Sequence, residues 1–281
     1  MGIDARRERL AIEGCGVALA AERWPSDGPL VVLLHAGVAD RRAWYEVANR
    51  LAGDHDVVAY DRRGFGDTPF TDGEFSDAAD LRGLLQEMGN GRAWLVGNSM
   101  GGAVALDTAL QYPETVAGLV LVGNAVSGWP ESVGYGMDAA TEALEERYMR
   151  ATTDGDRDDL QRVAAWLWLD GANEPEGRVS GAPRDLLREM VAGITRGEEV
   201  AGRRADEPDA WSNLERIEAP TVIACGEYDT FLLGPLQQVA ERMPHAEFRL
   251  LRGTAHLPML DQPDVVADLI AAAVSRRRRP G

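Results

Sequence analysis

The chemistry of this 281-residue chain centres on a serine set among glycines, Gly97-Asn98-Ser99-Met100-Gly101-Gly102. An apolar run, Ala93 to Val96, precedes it, and an alanine-rich helical pattern, Ala103 to Gln111, follows. The segment therefore reads as a strand that stops at a sharp turn and restarts as a helix. Gly97 and Gly101 allow the close backbone approach such a turn needs, because a Cβ at either place would clash. Ser99 then stands at the apex with its hydroxyl exposed, and the helix N-terminus beyond it favours negative charge. That placement suits a nucleophile whose reaction passes through an oxyanion.

A serine nucleophile needs a base, and the base needs an acid to orient it. There are four histidines: His35, His55, His245 and His256. His256 lies in the loop Arg252-Gly253-Thr254-Ala255-His256-Leu257-Pro258, just past the last apolar run. Gly226-Glu227-Tyr228-Asp229 follows the apolar run that ends at Cys225. In an open parallel sheet the loops beyond the carboxyl ends of the strands converge on one edge. Ser99, Asp229 and His256 can therefore meet, in that chain order. Glu227 is an alternative acid; Gly123-Asn124, after the run ending at Val122, offers no carboxylate.

The elements that must position these groups are legible as a rhythm. Leu10–Glu13 and Val17–Trp24 read as an opening hairpin through Gly14-Cys15-Gly16. Apolar strands follow at Leu30–Leu34, Val57–Tyr60, Ala93–Val96 and Val116–Val122, with helical patterns between them. Strands alternating with helices mean βαβ units and a mostly parallel, doubly wound sheet. From Asn124 to about Pro220 no strong strand occurs, only helical patterns near Ala139–Arg150, Asp158–Leu169 and Arg184–Ile194. Parallel rhythm resumes at Thr221–Cys225, then a helix from about Pro235 to Arg242, a strand at Phe248–Leu251 and a helix from Pro263 to Ser275. The expected organisation is a sheet core, 1–125 and 215–281, with a helical cap, 126–214, inserted after the sixth strand. Such a stretch is too long for a connecting loop.

Composition excludes several classes. The net charge is -17, and every basic residue is arginine, which argues against nucleic acid or an anionic membrane as partner. No apolar run approaches the ~20 residues of a membrane span, and the charged N-terminus shows none of the apolar stretch expected of a secretory signal. Only Cys15 and Cys225 occur, so a reducing cytoplasm is the expected location. Arg276 to Arg279 read as a solvated tail. The histidines are scattered and no metal-ligand spacing occurs; the elbow lacks the glycine spacing and lysine of nucleotide motifs. No metal and no cofactor are expected, and the chain is expected as a monomer or homodimer.

With His35-Ala36-Gly37 after the third strand and the loop Asp61-Arg62-Arg63-Gly64-Phe65-Gly66 after the fourth, the set of motifs resembles the α/β-hydrolase superfamily, specifically its serine esterase and enol-lactonase branch with a helical cap. The match spans nearly all of the chain outside the insertion. The resemblance implies a triad of Ser99, Asp229 and His256, and an oxyanion hole made by the backbone N–H groups of Gly37 and Met100. The family's usual His-Gly reads His35-Ala36 here, which a main-chain donor tolerates. His35 either holds the oxyanion loop or borders the substrate, and Asp61 and Arg62 brace a loop. Trp129, Met137, Trp166, Trp168 and Leu257 are candidates for the substrate pocket, although the insertion's aromatic residues fit its own core equally well. Serine at the elbow disfavours dehalogenases and epoxide hydrolases, which carry aspartate there. The expected reaction is hydrolysis of a small-molecule ester or lactone. The runners-up are carbon–carbon cleavage of ring-fission products, whose enzymes tend to carry Trp where Leu257 stands, and cofactor-free perhydrolysis. From another class, a small-molecule receptor on the same scaffold is the rival.

Overall fold

Strict alternation in the strands builds two hydrophobic layers, one on each face of a single sheet. This is seen in a computed structural model that describes residues 7–14, 16–89, 91–130, 137–194, 202–204 and 208–275. In chain order the strands are β1 (Glu8–Gly14), β2 (Val17–Trp24), β3 (Leu30–Leu34), β4 (Asp56–Tyr60), β5 (Gly73–Phe75), β6 (Ala93–Asn98), β7 (Val116–Val122), β8 (Gly202–Arg204), β9 (Thr221–Gly226) and β10 (Ala246–Leu251). Eight of them form one sheet in the order β1-β2-β4-β3-β6-β7-β9-β10. The β1–β2 and β2–β4 pairings are antiparallel, and all others in that sheet are parallel. β3, β4, β6 and β9 are buried along their whole length, as strands covered on both faces should be.

The helices are α1 (Tyr45–Leu51), α2 (Asp77–Glu87), α3 (Met100–Gln111), α4 (Ala139–Asp154), α5 (Arg157–Ala164), α6 (Ala182–Ile194), α7 (Thr230–Arg242), α8 (Pro258–Asp261) and α9 (Pro263–Ser275). Val31, Leu33, Val96 and Val120 point to the face that packs on α1 (Val47, Leu51) and α9 (Val266, Ile270). Their neighbours Val32, Leu34, Leu95 and Leu121 point to the other, against α2 (Leu81, Leu84), α3 (Val104) and α7 (Leu236, Val239). The period of two in the strands and of three to four in the helices thus meet in one sandwich. Each fully buried Val or Leu contributes roughly 1.5–3 kcal/mol.

Local signals set the helix ends. The Ser76 hydroxyl accepts from the Ala79 N–H at 3.3 Å and Asp138 from the Thr141 N–H at 2.9 Å, each occupying one of the donors a helix start leaves free. Two expectations need correction. The α7 helix starts at Thr230, not Pro235: Asp229 occupies the position before it, and the helix absorbs Pro235 one turn in, giving up a single N–H. The helical stretch also contains a strand, β8, which pairs parallel with β5. Arg276 to Arg279 and Cys15 lie outside the described residues, whereas Cys225 is a free, buried thiol, its pKa pushed up by burial.

Between β7 and β9, helices α4, α5 and α6 form a layer of their own, with Leu144, Val163 and Leu167 as a small cluster. A π-helical turn, Ala165–Asp170, continues α5. Leu160, Leu187 and Met190 join the core on the α1 side, so the layer is packed onto the sheet domain and not merely tethered.

Candidate active site

The turn at Ser99 is strained in the manner its flanking glycines suggest. Ser99 has φ 54° and ψ −120°, the one non-glycine residue with positive φ among those described. Such a conformation costs about 1–3 kcal/mol and persists only where its surroundings over-determine it. Here they do: its N–H donates to Val122 O at 3.1 Å, and its carbonyl accepts from Gly102 and Ala125 at 2.9 Å. A Cβ at Gly97 would come within 2.4 Å of Gly101 O, and one at Gly101 within 2.4 Å of Leu34 O. As the first residue of α3, Met100 carries an N–H with no intrahelical partner. The loop after β3 crosses beside it, since a Cβ at Gly37 would lie 2.6 Å from Met100 Sδ.

Beneath that loop His35 is fully enclosed. Its Nδ1 lies 2.7 Å from Ala36 O, and its Nε2 accepts the Arg62 N–H at 3.0 Å. Burial, reinforced by the Arg62 and Arg41 charges, holds its pKa well below 6.5. A neutral ring with Nδ1 protonated satisfies both bonds. Phe65 meets His35 edge to face at 5.0 Å, and the Arg62 guanidinium covers Phe65 at 4.5 Å. Asp61 closes the same loop by accepting the Arg41 and Asp67 N–H groups, each at 2.8 Å.

His256 and Asp229 come together from the ends of β10 and β9. His256 Nδ1 is 2.8 Å from Asp229 Oδ2, and both side chains are buried, 5% and 0% exposed. Glu227 is turned elsewhere: its Oε2 accepts the Gly253 N–H at 2.8 Å and closes the histidine loop. Asn98 adds a brace, its Nδ2 donating to Val122 O at 2.8 Å and to His256 O at 3.0 Å. Gly123, with φ +50°, lies so close that a Cβ there would sit 2.9 Å from Asp229 Oδ2 and 3.1 Å from His256 Nδ1. The imidazole is flanked by two rings, Trp168 at 4.9 Å and Phe231 at 6.2 Å.

Ser99 and His256 open onto one cavity of about 370 Å³, lined also by Met100, Gly123, Ala125, Met137, Glu145, Trp168, Phe231 and Leu232. A larger groove, about 730 Å³, runs between ion-paired side chains such as Arg162 and Glu176 and contains none of these groups. Of the residues expected in the pocket, Met137 and Trp168 line it. Leu257 is buried beside His256, its N–H donating to Trp168 O at 3.2 Å. Trp129 stacks on Trp211 at 5.3 Å, and Trp166 packs on the Leu144 cluster with its indole N–H on Glu174 O at 2.9 Å. His35, Trp129 and Trp166 are therefore not brought to the cavity, each being held by other partners. Phe231 and Leu232 escaped the sequence reading because it started α7 after them. Glu145 escaped because it stands among the acidic residues of α4, and Asn98 because its neighbour Ser99 drew the assignment.

Among the described residues no group of three or more His, Cys, Asp or Glu is arranged to hold a metal ion, and no helix is long and apolar enough to cross a membrane.

A serine on a strained strand-to-helix turn, beside a histidine–aspartate pair at the carboxyl edge of a mostly parallel sheet, defines a class. The chain belongs to the alpha/beta hydrolase family, whose pattern matches residues 31–269, and it is an enzyme with hydrolase activity. It is 24% identical over 266 residues to a putative 2-succinyl-6-hydroxy-2,4-cyclohexadiene-1-carboxylate synthase of Bacillus subtilis, covering 89% of this chain and 92% of that one. It is 29% identical over 243 residues to a 2-hydroxy-6-oxononadienedioate/2-hydroxy-6-oxononatrienedioate hydrolase of Paraburkholderia phymatum, covering 80% of each. Among solved structures, an esterase from Exiguobacterium antarcticum superposes with a TM-score of 0.76 at 20% identity, covering 95% of this chain and all (100%) of that one.

Proposed function

We propose that the chain hydrolyses a small-molecule carboxylic ester or lactone through an acyl-enzyme, with Ser99 as nucleophile, His256 as base and acid, and Asp229 as its orienting partner. The observation that carries this reading is the buried His256 Nδ1–Asp229 Oδ2 contact of 2.8 Å, whose histidine opens with Ser99 onto one cavity. His256 Nε2 takes the Ser99 proton as Oγ bonds to the substrate carbonyl carbon. The resulting oxyanion is met by the Met100 and Gly37 N–H groups, a contribution of roughly 3–4 kcal/mol per donor where one has been removed in other enzymes. The carbon–oxygen bond to the alcohol then breaks, and the alcohol leaves with the proton from His256. Water, deprotonated by His256, attacks the acyl carbon, and Ser99 Oγ departs as a hydroxyl. Asp229 fixes Nδ1–H, so Nε2 faces the serine, and offsets the imidazolium charge. The helical layer α4–α6 acts as the cap, since Glu145 and Trp168 from it close the cavity over Ser99.

The test is turnover of a panel of nitrophenyl esters, lactones and a vinylogous diketone by wild type and Ser99→Ala. An ester or lactone should be cleaved with a burst of one equivalent, and the variant should lose the burst. Cleavage of the diketone alone would favour the carbon–carbon reading, with which the similarity to a 2-hydroxy-6-oxononadienedioate/2-hydroxy-6-oxononatrienedioate hydrolase is consistent. Tight binding of a ligand without any product would favour a receptor.

A further inference from the structure

Among the described residues, the cap wall of the cavity contains one ionisable side chain, Glu145. On α4 the inward positions are Thr141, Leu144, Glu145, Tyr148 and Ala151, while Glu142 and Glu146 beside them are exposed. That inward i, i+3, i+4, i+7 stripe is where a cap helix buries apolar residues, and a carboxylate there gives up hydration. No hydrogen bond or ion pair joins Glu145 to any described residue. Burial alone pushes its pKa up, the direction expected of a carboxylate facing apolar neighbours without a cation. The same cavity is lined by Trp168 and Phe231, whose faces attract cations, and by Met100 and Met137, whose polarizable sulfurs adapt to bulky groups.

We infer that Glu145 and the Trp168–Phe231 pair form a subsite for a cationic nitrogen, so that the preferred esters carry an ammonium group on the acyl side and those with a second carboxylate are rejected. This rests on the serine-hydrolase reading for its substrate. A carboxylate without a partner among the described residues is offset by an ammonium, while the aromatic faces shield the same charge from water. An incoming carboxylate would meet a like charge in a poorly hydrated pocket and would leave both uncompensated.

The chain's overall charge of -17 also attracts cations, so the experiment separates local from global attraction. kcat/KM is measured for the nitrophenyl esters of 4-(trimethylammonio)butanoate, its uncharged carbon isostere 5,5-dimethylhexanoate, and glutarate, on wild type, Glu145→Gln and Glu145→Leu. Wild type should favour the ammonium ester over its isostere about tenfold, chiefly through KM, and glutarate should be poorest. In both variants the ammonium-to-isostere ratio should fall toward one. A ratio near one in wild type, or an equal ratio in Glu145→Gln, would overturn the subsite, the latter pointing to the field of the whole chain. Calorimetric binding of butyltrimethylammonium to Ser99→Ala, with and without Glu145→Gln, reads the subsite without turnover. Loss of binding on Glu145→Gln alongside absent esterase activity would retain the subsite and discard the acyl-enzyme. Unchanged binding would discard the subsite whatever the turnover.

Discussion

The two walls of the cavity are held by different means. On the sheet side the groups are located chiefly by the main chain: Ser99 by hydrogen bonds from Gly102, Ala125 and to Val122, and the Asp229–His256 pair by the close approach of Gly123, with the Asn98 side chain as a brace. On the helical side, side-chain ties predominate, alongside the Leu257 N–H to Trp168 O bond. Arg178 is the main tie: it donates to Leu169 O at 2.7 Å, Asp170 O at 2.8 Å and Gly253 O at 3.0 Å, pairs with Asp261 at 2.8 Å and covers the Tyr228 ring at 4.9 Å. One arginine thus joins the Trp168 turn to the loops that hold Asp229 and His256. Backbone bonds fix geometry to tenths of an ångström whatever the outward side chains, as the proposed reaction needs of its wall. Side-chain ties can be exchanged, as a wall that selects substrates needs.

The largest effect should come from the sheet wall. Ser99→Ala should reduce ester turnover on the order of 10⁴-fold or more, and Asp229→Asn roughly 10³- to 10⁴-fold, because the amide favours the wrong tautomer. Both proteins should keep wild-type stability within about 1 kcal/mol, since alanine retains the Cβ of serine and leaves the positive-φ strain as it is. Steady-state kinetics beside urea unfolding measure both; substantial turnover by Ser99→Ala would remove the serine from the chemistry. Gly123→Ala comes next. Its methyl must share space with Asp229 Oδ2 at 2.9 Å while the backbone stays at φ +50°, and a shift of the pair by an ångström costs about 10²-fold. The loss should fall on kcat, with little change in KM; a Gly123→Ala enzyme with wild-type kcat would show that the Asp229–His256 spacing is not limiting.

Arg178→Met should act less on the chemistry and more on the cap. It leaves the Asp261 carboxylate and the Leu169 and Asp170 carbonyls without this donor, while Gly253 O keeps Gln262 Nε2 at 3.3 Å; the cost is about 2–4 kcal/mol, with roughly tenfold lower kcat/KM as Trp168 loses its fixed position beside His256. The comparison is sharpened by hydrogen exchange: protection should drop across Ala165–Asp170 and stay unchanged in β6 and β7. Equal loss in both regions would mean that the two walls are one cooperative unit.

The same contrast explains what the sequence discloses. Apolar runs that end at Val96 and Cys225, and the Phe248–Leu251 segment interrupted by Arg249, announce strands, and parallel topology brings the loops after them to one edge; the site residues there follow from position along the chain. The glycines at 97 and 101 are read from the sequence because only a residue without Cβ serves that turn. The cap gives no such purchase. Trp166 and Trp168 are two residues apart and indistinguishable by type; both touch Leu167's cluster, yet it is Trp168 that also packs on His256 and lines the cavity. Glu145 differs from Glu142 and Glu146 only in which way the helix turns it. The start of α7 was obscured by Pro235, a residue that more often opens a helix than sits inside one, and with it Phe231 and Leu232 were lost from the pocket.

The smallest effect concerns the other histidine at a strand end. His35 and His256 each follow a strand, but His35 is enclosed, donating to Ala36 O and accepting from Arg62 N, so the fold holds it neutral. The unfolded chain binds a proton at this histidine near the ordinary pKa of 6.5, whereas the folded state, its pKa depressed, does not. Above 6.5 the contribution of His35 to stability is fully present. As pH falls below 6.5 the unfolded state gains a proton the folded state lacks, and stability is lost by at most about 1.4 kcal/mol per pH unit. Urea unfolding of wild type and His35→Asn at pH 7.5 and 5.5 isolates this part, because all other titrating groups cancel in the difference. Wild type should lose about 1 kcal/mol more than the variant over that interval. An identical pH dependence would mean that His35 titrates alike in both states, and that the loop carrying Gly37 is held by Asp61 and its two backbone donors without help from a neutral imidazole.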